Sequence, residues 1–472
     1  MEFNQEVIIG LETHIEVDTL SKLFCCCPRT GIDTPNSRVC PICLGHPGAR
    51  PFLNGKVLAA AVKLALAIDG QITEKVVFSR KNYFYPDMAK NFQITQFESP
   101  LSQKGSVKLN SGKLVKIRRL HIEEDPASLV YPKTMRDSQY VLIDYNRSGI
   151  PLIELVTEPS INSPREAREY MNKLMSILSY LKIFDVNSCV IKSDANISIR
   201  DSDYTRVEIK NISGIKEIEK ALSYELMRQR SLIRRGIKIV KETRGWNKVG
   251  KTTFSQRTKE SEEDYGYISE PDLPEIVITP EYIRKNKDEI PELPAQKQVR
   301  FVEKYKLNED DSFVLTKEPE IADLFENVAK VIDSNIAANW IRGEILRVLN
   351  YNKKRLNDSY LSAERIIDLL KLLCENKISK NMAQNFLERM ITENFSLRDY
   401  ILNNNISQIS DDKILTDIAK KVLNEEKIAL EDYLSGKEKA LDYIIGKCMA
   451  LSKSKADPIK INKILLTLIR TR

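Results

Sequence analysis

The chain has 472 residues, 42% of them hydrophobic and 29% charged, the balance of a globular protein with room for about three domains. Its net charge of +7 is too mild to announce a nucleic-acid partner. No apolar run approaches the ~20 residues of a membrane span, so no membrane partner is expected. The opening "MEFNQEVIIGLETHIEV" alternates like a strand and lacks the basic-then-apolar order of a leader, so the expected location is the cytoplasm.

The first ~290 residues read as strand-rich, with short helices between the strands. In "GLETHIEVDT", Leu11, Thr13, Ile15 and Val17 share one face, and Glu12, His14, Glu16 and Asp18 share the other. Five of the eight cysteines follow between Cys25 and Cys43. "NGKVLAAAVKLALAI" has the apolar stripe of a helix. "FSRKNYFYPD" sets Arg80 and Lys81 beside Tyr83, Phe84 and Tyr85. "RRLHIEED" packs His121 against Glu123, Glu124 and Asp125. A helix is predicted from Ser163 as N-cap with Pro164 at its first position. "SDANISIR" alternates again, placing Asp194 with Asn196, Ser198 and Arg200 opposite Ala195, Ile197 and Ile199. "RVEIKN" puts Val207 and Ile209 opposite Glu208 and Lys210. A further helix runs to Gly236 and is dense in arginine near its end, compatible with phosphate contact or with a solvated cationic terminus. One apolar and one polar face per strand predicts a mainly antiparallel sheet, dry on one side and open on the other.

The stretch "DEIPELPAQK", from Asp288 to Lys297, is a proline-bearing linker, and beyond it the pattern turns helical. "NNNISQISDD" marks a second boundary. The last segment, Lys447–Arg472, carries seven Lys or Arg against one acid, Asp457. The expected fold class is α+β: a cradle-like antiparallel sheet domain with helices over 1–290, a helical domain over 291–402, and a small helical tail over 403–472.

Two groups of residues carry chemistry. Cys25, Cys27, Cys40 and Cys43 have the paired spacing of a tetrahedral structural zinc site, with Cys26 facing away. The same spacing is also compatible with buried thiols that hold no metal. His14 with Glu12, His121 with Glu123, and Asp194 all fall on polar strand faces. If these faces converge, such oxygen ligands with an occasional imidazole suit Mg²⁺ or Mn²⁺. Taken singly, each is compatible with a solvated face. The mix of cations and aromatics over Phe78–Asp87 fits a nucleotide or nucleic-acid surface, and equally a turn at the core edge. There is no GxxxxGK[ST] loop, no GxGxxG after a strand and no kinase catalytic-loop pattern. His46 is the only other histidine, so a Ser-His-Asp or Cys-His hydrolase is not expected.

Taken in order, "VIIGLETHIEVDTLSKLF", "CPICLGHPGARPFLN", "RKNYFYPDMAKNFQITQF", "RLHIEED", "DYNRSGIPLIELVTEPS", "SDANISIR", "EIKN", "KETRGW", "DYGYISEPDLP" and "GKEKALDYIIGKCMALSK" span nearly the whole chain. They resemble the GatB family of tRNA-dependent amidotransferase subunits. The resemblance implies ATP- and Mg²⁺-dependent phosphorylation of the side-chain carboxylate of Glu on tRNA(Gln), or Asp on tRNA(Asn). Amidation would follow, using ammonia from an amidase-type glutaminase subunit in a complex with a small third subunit. It also implies roles for particular residues. Glu12, His14, Glu124 and Asp194 would hold Mg²⁺, with Glu123 beside them, and Lys81 would act in catalysis. The choice of Glu124 rests on the resemblance, because strand alternation places Glu123 beside His121. Arg80, Tyr83, Arg147, Lys210 and Asn211 would meet ATP or the tRNA 3′ end. Cys25, Cys27, Cys40 and Cys43 would hold structural Zn²⁺. Lys453, Lys455, Lys460 and Lys463 would contact the tRNA body. The chain departs from the family's pattern at Pro126, Ala127 and Ser128, at Gly266 where the family has arginine, and at Ile268. Those departures leave room for a divergent paralogue or a tRNA-binding scaffold with altered activity.

Overall fold

Strand alternation becomes a sheet with one dry face. The computed structural model describes residues 5–133, 138–258, 266–403, 412–452, 456 and 458–470. It divides into two units, 1–294 and 295–472. In the first unit the central strands are β1 (Val7–Glu16), β2 (Leu114–Glu124), β3 (Pro151–Thr157), β4 (Ile191–Ile199), β5 (Val207–Ser213), β6 (Glu242–Asn247) and β7 (Thr252–Thr258). They lie in the order β7-β6-β5-β4-β1-β3-β2, and the short strands Ser102–Gln103 and Gln71–Ile72 extend the far edge. The pairings among β1 to β7 are antiparallel except β5 with β6, which is parallel.

Three helices cover the apolar face: α1 (Gly55–Ala67), α2 (Pro164–Leu181) and α3 (Ile215–Arg234). Ser163 caps α2, its hydroxyl accepting from the Glu166 amide, with Pro164 in the first turn. α2 and α3 span 18 and 20 residues, matching the helices expected from Ser163 and up to Gly236. Leu11, Thr13 and Ile15 of β1 join Tyr170, Met171, Leu174 and Leu178 of α2 in the buried layer. The arginines late in α3 are partly committed: Arg228 pairs with Glu225 and Glu242, and Arg230 with Glu6.

The second unit is helical, and the architecture as a whole is α+β, as the sequence predicts. Pro319–Ala329, Ser334–Trp340, Ala363–Cys374 and Lys380–Thr392 bury an apolar stripe around Phe301, Phe325, Ile341 and Leu387. The helix from Ser334 runs on through one wider turn, Ile341–Ile345, into Leu346–Tyr351. Asp412–Glu425, Lys439–Leu451 and Pro458–Arg470 enclose a separate small core around Leu415, Leu423, Ile444 and Cys448. No helix among the described residues is long and apolar enough to cross a membrane.

Candidate active site

Register assembles the site on the sheet face turned away from α1, α2 and α3, where His121, Glu123 and Glu154 are buried rather than open to water as expected. His14 lies opposite Glu154 of β3 and Lys192 of β4, and Glu154 lies opposite His121 of β2. Directly paired residues share a face, so His121, Glu154, His14 and Lys192 form one row across four strands. One pleat along, Glu123 lies beside that row.

The row is electrostatically tight. His14 Nε2 is 3.4 Å from Glu123 and 3.5 Å from Glu154, and His121 Nε2 is 3.2 Å from Glu154. Thr95 donates to Glu123 at 3.2 Å. Burial alone would lower both imidazoles, but the Glu154 and Glu123 carboxylates outweigh it, raising His14 to about 10 and His121 to about 9. Burial pushes Glu154 up, and the two histidines overcome it and hold this carboxyl well below its usual range. Ligand atoms of His14, Glu123 and Glu154 lie within 4.8 Å of one another, close enough to share one cation. Two carboxylates and an imidazole fit Mg²⁺ or Mn²⁺.

This trio opens into a cavity of about 290 Å³. Lys81, Tyr83, Arg147, Lys192, Asp194 and Asn211 line it, together with the acids Glu16, Asp87 and Asp125. Burial raises the carboxyls of all three acids.

The structure separates the residues that the resemblance grouped. Glu124, one residue past Glu123, points to the opposite side of β2. Its carboxylate is paired with Lys90 at 2.5 Å and accepts from the Ile94 amide at 3.0 Å, so it is not among the three clustered ligands. Glu123 lies beside His121, 3.6 Å from its Nε2, as strand alternation predicts. Glu12 stands one pleat from His14 and accepts from Asn196 at 3.1 Å. Asp194 sits at a bulge, where the pairing shifts between Ser193 and Ala195. There Lys210 and Asn211 both face it, the Asn211 amide donating at 2.8 Å and Lys210 Nζ at 3.2 Å. The Asp194 carboxylate lines the cavity at its edge.

Of the predicted catalytic lysine and nucleotide contacts, Lys81, Tyr83, Arg147 and Asn211 reach the cavity, and Lys210 does not line it. The Arg147 guanidinium also donates to the carbonyls of Pro126 and Ala127, and so ties down the departed segment after Asp125. Arg80 does not line the cavity. It forms a bidentate pair with the fully buried Glu270 carboxylate and stacks on Phe92. Gly266 pairs with Asn82 in an adjoining sheet, and a Cβ there would meet only Asn82 at 3.8 Å. Lys460 and Lys463 are exposed on the last helix, whereas Lys453 and Lys455 lie outside the described residues.

Sequence reasoning missed Glu154 and Lys192. Glu154 had a signal: it is the one charge in the strand "PLIELVT", which is buried throughout. Lys192 continues the polar alternation of Asp194 and Asn196 by one more step.

Cys25, Cys27, Cys40 and Cys43 bring their four sulfurs within 4.8 Å of one another, and Cys26 faces outward. Four thiols at that spacing match a tetrahedral zinc centre with no open position.

A family model described as the GatB/GatE catalytic domain matches residues 7–284, and one described as the GatB domain matches 323–469. This chain belongs to the GatB family. It is 41% identical to the B-type subunit of the aspartyl/glutamyl-tRNA(Asn/Gln) amidotransferase of Thermotoga petrophila, over 98% of each chain. It is 42% identical to the protein of that name from Sulfolobus acidocaldarius, over 97% of this chain and 98% of the relative. For the one from Saccharolobus solfataricus the identity is 43%, over 96% and 97%. The catalytic-domain match covers every strand that builds the GatB site described above.

Proposed function

We propose that this chain, as the GatB component of a tRNA-dependent amidotransferase, activates an aminoacyl side-chain carboxylate with ATP and then converts it to an amide. The substrate is Glu on tRNA(Gln), Asp on tRNA(Asn), or both. A carboxylate is a poor acceptor for ammonia because it would have to expel oxide. In the first step a side-chain oxygen attacks the γ-phosphorus of ATP, the bridging P–O bond breaks, and ADP leaves. In the second step ammonia attacks the acyl carbon, the C–O bond to phosphate breaks, and phosphate departs with the electron pair.

The observation that carries this reading is the clustering of His14, Glu123 and Glu154 at a cavity that also presents Lys81, Arg147 and Lys192. Held by those three ligands, Mg²⁺ or Mn²⁺ would neutralise phosphate charge. Lys81 and Lys192 would grip phosphate oxygens. Among the described residues no hydrogen bond or ion pair holds the Lys192 ammonium, whose electrostatic company is Glu16 and Asp125. Asp87 and Asp125, raised by burial, would accept the proton that the attacking ammonia loses. Glu12, Glu124 and Asp194 then serve as supports: Glu124 fixes Lys90 and the strand edge, and Asp194 fixes the bulge. The four cysteines would hold structural Zn²⁺. Ammonia would come from an amidase-type subunit, with a small third subunit completing the complex. The exposed lysines of the tail would take tRNA phosphates.

The test is to co-purify the chain with its amidase and small partners. Glu-tRNA(Gln) and Asp-tRNA(Asn), labelled in the amino acid, are supplied with ATP, Mg²⁺ and either glutamine or ammonium. Labelled Gln-tRNA or Asn-tRNA is expected, and it names the substrate. A stable complex that binds tRNA yet makes neither product would favour the scaffold reading.

A further inference from the structure

Lys22 has no exposed surface at all. A buried ammonium is costly unless an anion faces it. Yet among the described residues Lys22 forms no ion pair with a carboxylate. Its Nζ donates to the Tyr145 carbonyl at 3.2 Å and points to Cys43 Sγ at 3.7 Å. Glu124 is the carboxylate on that side, and it is already taken by Lys90 and the Ile94 amide. Four neutral thiols would not compensate a buried cation. Four thiolates around a dication would, because they leave two net negative charges for the surroundings to balance.

The same side chain touches the turn that carries Arg147. A Cβ on Gly149, which has φ +84°, would lie 3.5 Å from Cys43 Cβ and 3.6 Å from Lys22 Cδ. The Leu23 amide donates to the Gly149 carbonyl at 2.8 Å, and the Ser148 hydroxyl to the Cys43 carbonyl at 2.9 Å. The Gly149 amide donates to the Asp125 carbonyl at 2.9 Å. The turn from Tyr145 to Ile150 is therefore clamped between the cysteine centre and the end of β2, and Arg147 projects from it into the cavity.

We infer that Lys22 is the built-in counter-charge of the cysteine centre. Through Tyr145 it is the link by which a metal there holds Arg147 at the cavity. The inference rests on the reading that the four cysteines bind a divalent metal. A donor hydrogen bond to a ligating sulfur is the kind of outer contact whose loss costs metal affinity.

The test uses the full chain. Zinc content of the wild type is measured first, and a chain that takes up neither zinc nor cobalt overturns the metal reading and the inference together. In a chain that does bind metal, Lys22→Met should lose it to a competing chelator at least about tenfold faster. The sulfur-to-cobalt charge-transfer band should also shift to lower energy. Metal retained at the wild-type rate with an unshifted band overturns the role of Lys22 and leaves the metal reading standing. Should Lys22→Met fail to fold, chemical labelling of the unaltered chain decides. Lys22 should be protected from an amine-reactive reagent while metal is bound and become reactive once it is removed, with Arg147 gaining reactivity to phenylglyoxal in step. Continued protection of either residue after removal overturns the link.

Discussion

The two metal-type clusters of the first unit are built in opposite ways. The cysteine centre comes from one loop, Cys25 to Cys43, so chain spacing alone brings its ligands together. The site cluster takes His14, Glu123 and Glu154 from three strands, and only the register of β1, β2 and β3 makes them neighbours. Their charge balance differs as well. On the polar face, the two imidazoles, raised by their carboxylates, supply positive charge while no metal is bound, and His14 gives up its proton on ligating one. At the cysteines the available cation is one lysine fixed by burial. A locally built site survives small shifts of the sheet, whereas a register-built site fails when one strand slips by a residue.

The largest expected effect breaks the register-built cluster. Glu154→Gln should cut ATP-dependent amidation at least about 100-fold, by loss of a metal ligand and of the charge facing two histidines. The melting temperature should fall as well, because two buried imidazoles lose their counter-charge, while the protein that remains folded keeps its tRNA binding. Glu124→Gln should spare turnover instead. It weakens the pair with Lys90 and costs about 2–3 kcal/mol of stability, read by denaturant unfolding, while the folded fraction keeps most of its turnover. If Glu124→Gln abolished turnover at unchanged stability, the resemblance-based ligand would be right and the trio wrong.

A smaller effect tests who grips phosphate. Lys192→Met should raise the KM for ATP about tenfold and alter kcat less, because it removes binding shared by ground and transition states. A rise in the KM for charged tRNA instead would move Lys192 to the acceptor end.

Much of the fold is legible in the sequence because it rests on local rules. Alternation placed Leu11, Thr13 and Ile15 in the core and His14 on the polar face, and Ser163 and Pro164 start α2 as written. What was not legible is pairing. Nothing in "PLIELVT" says that Glu154 lies opposite both His14 and His121, since that depends on strands distant in the chain. The aromatic and cationic run near Arg80 also misleads. Sequence shows a guanidinium beside rings, but not that Glu270, far along the chain, has already taken it. The contrast between Glu123 and Glu124 adds a finer point. A period-two rule separates adjacent acids more sharply than a motif does, because neighbouring strand residues face opposite ways.

The smallest effect concerns the bulge that aims Asp194. Asn211 holds φ +60°, and its amide donates to the Asp194 carboxylate. Asparagine tolerates that conformation and alanine does not, while glycine adopts it freely. Asn211→Ala and Asn211→Gly both delete the side chain that lines the cavity, so any shared loss of activity belongs to that side chain. The difference between them belongs to the backbone. Asn211→Ala should be about 1 kcal/mol less stable than Asn211→Gly, measured by urea unfolding. Equal stabilities would mean that the chain relaxes the bulge at no cost. Asp194 would then be aimed by Lys210 alone, and the register around β4 and β5 would matter less to the site than the register around β1, β2 and β3.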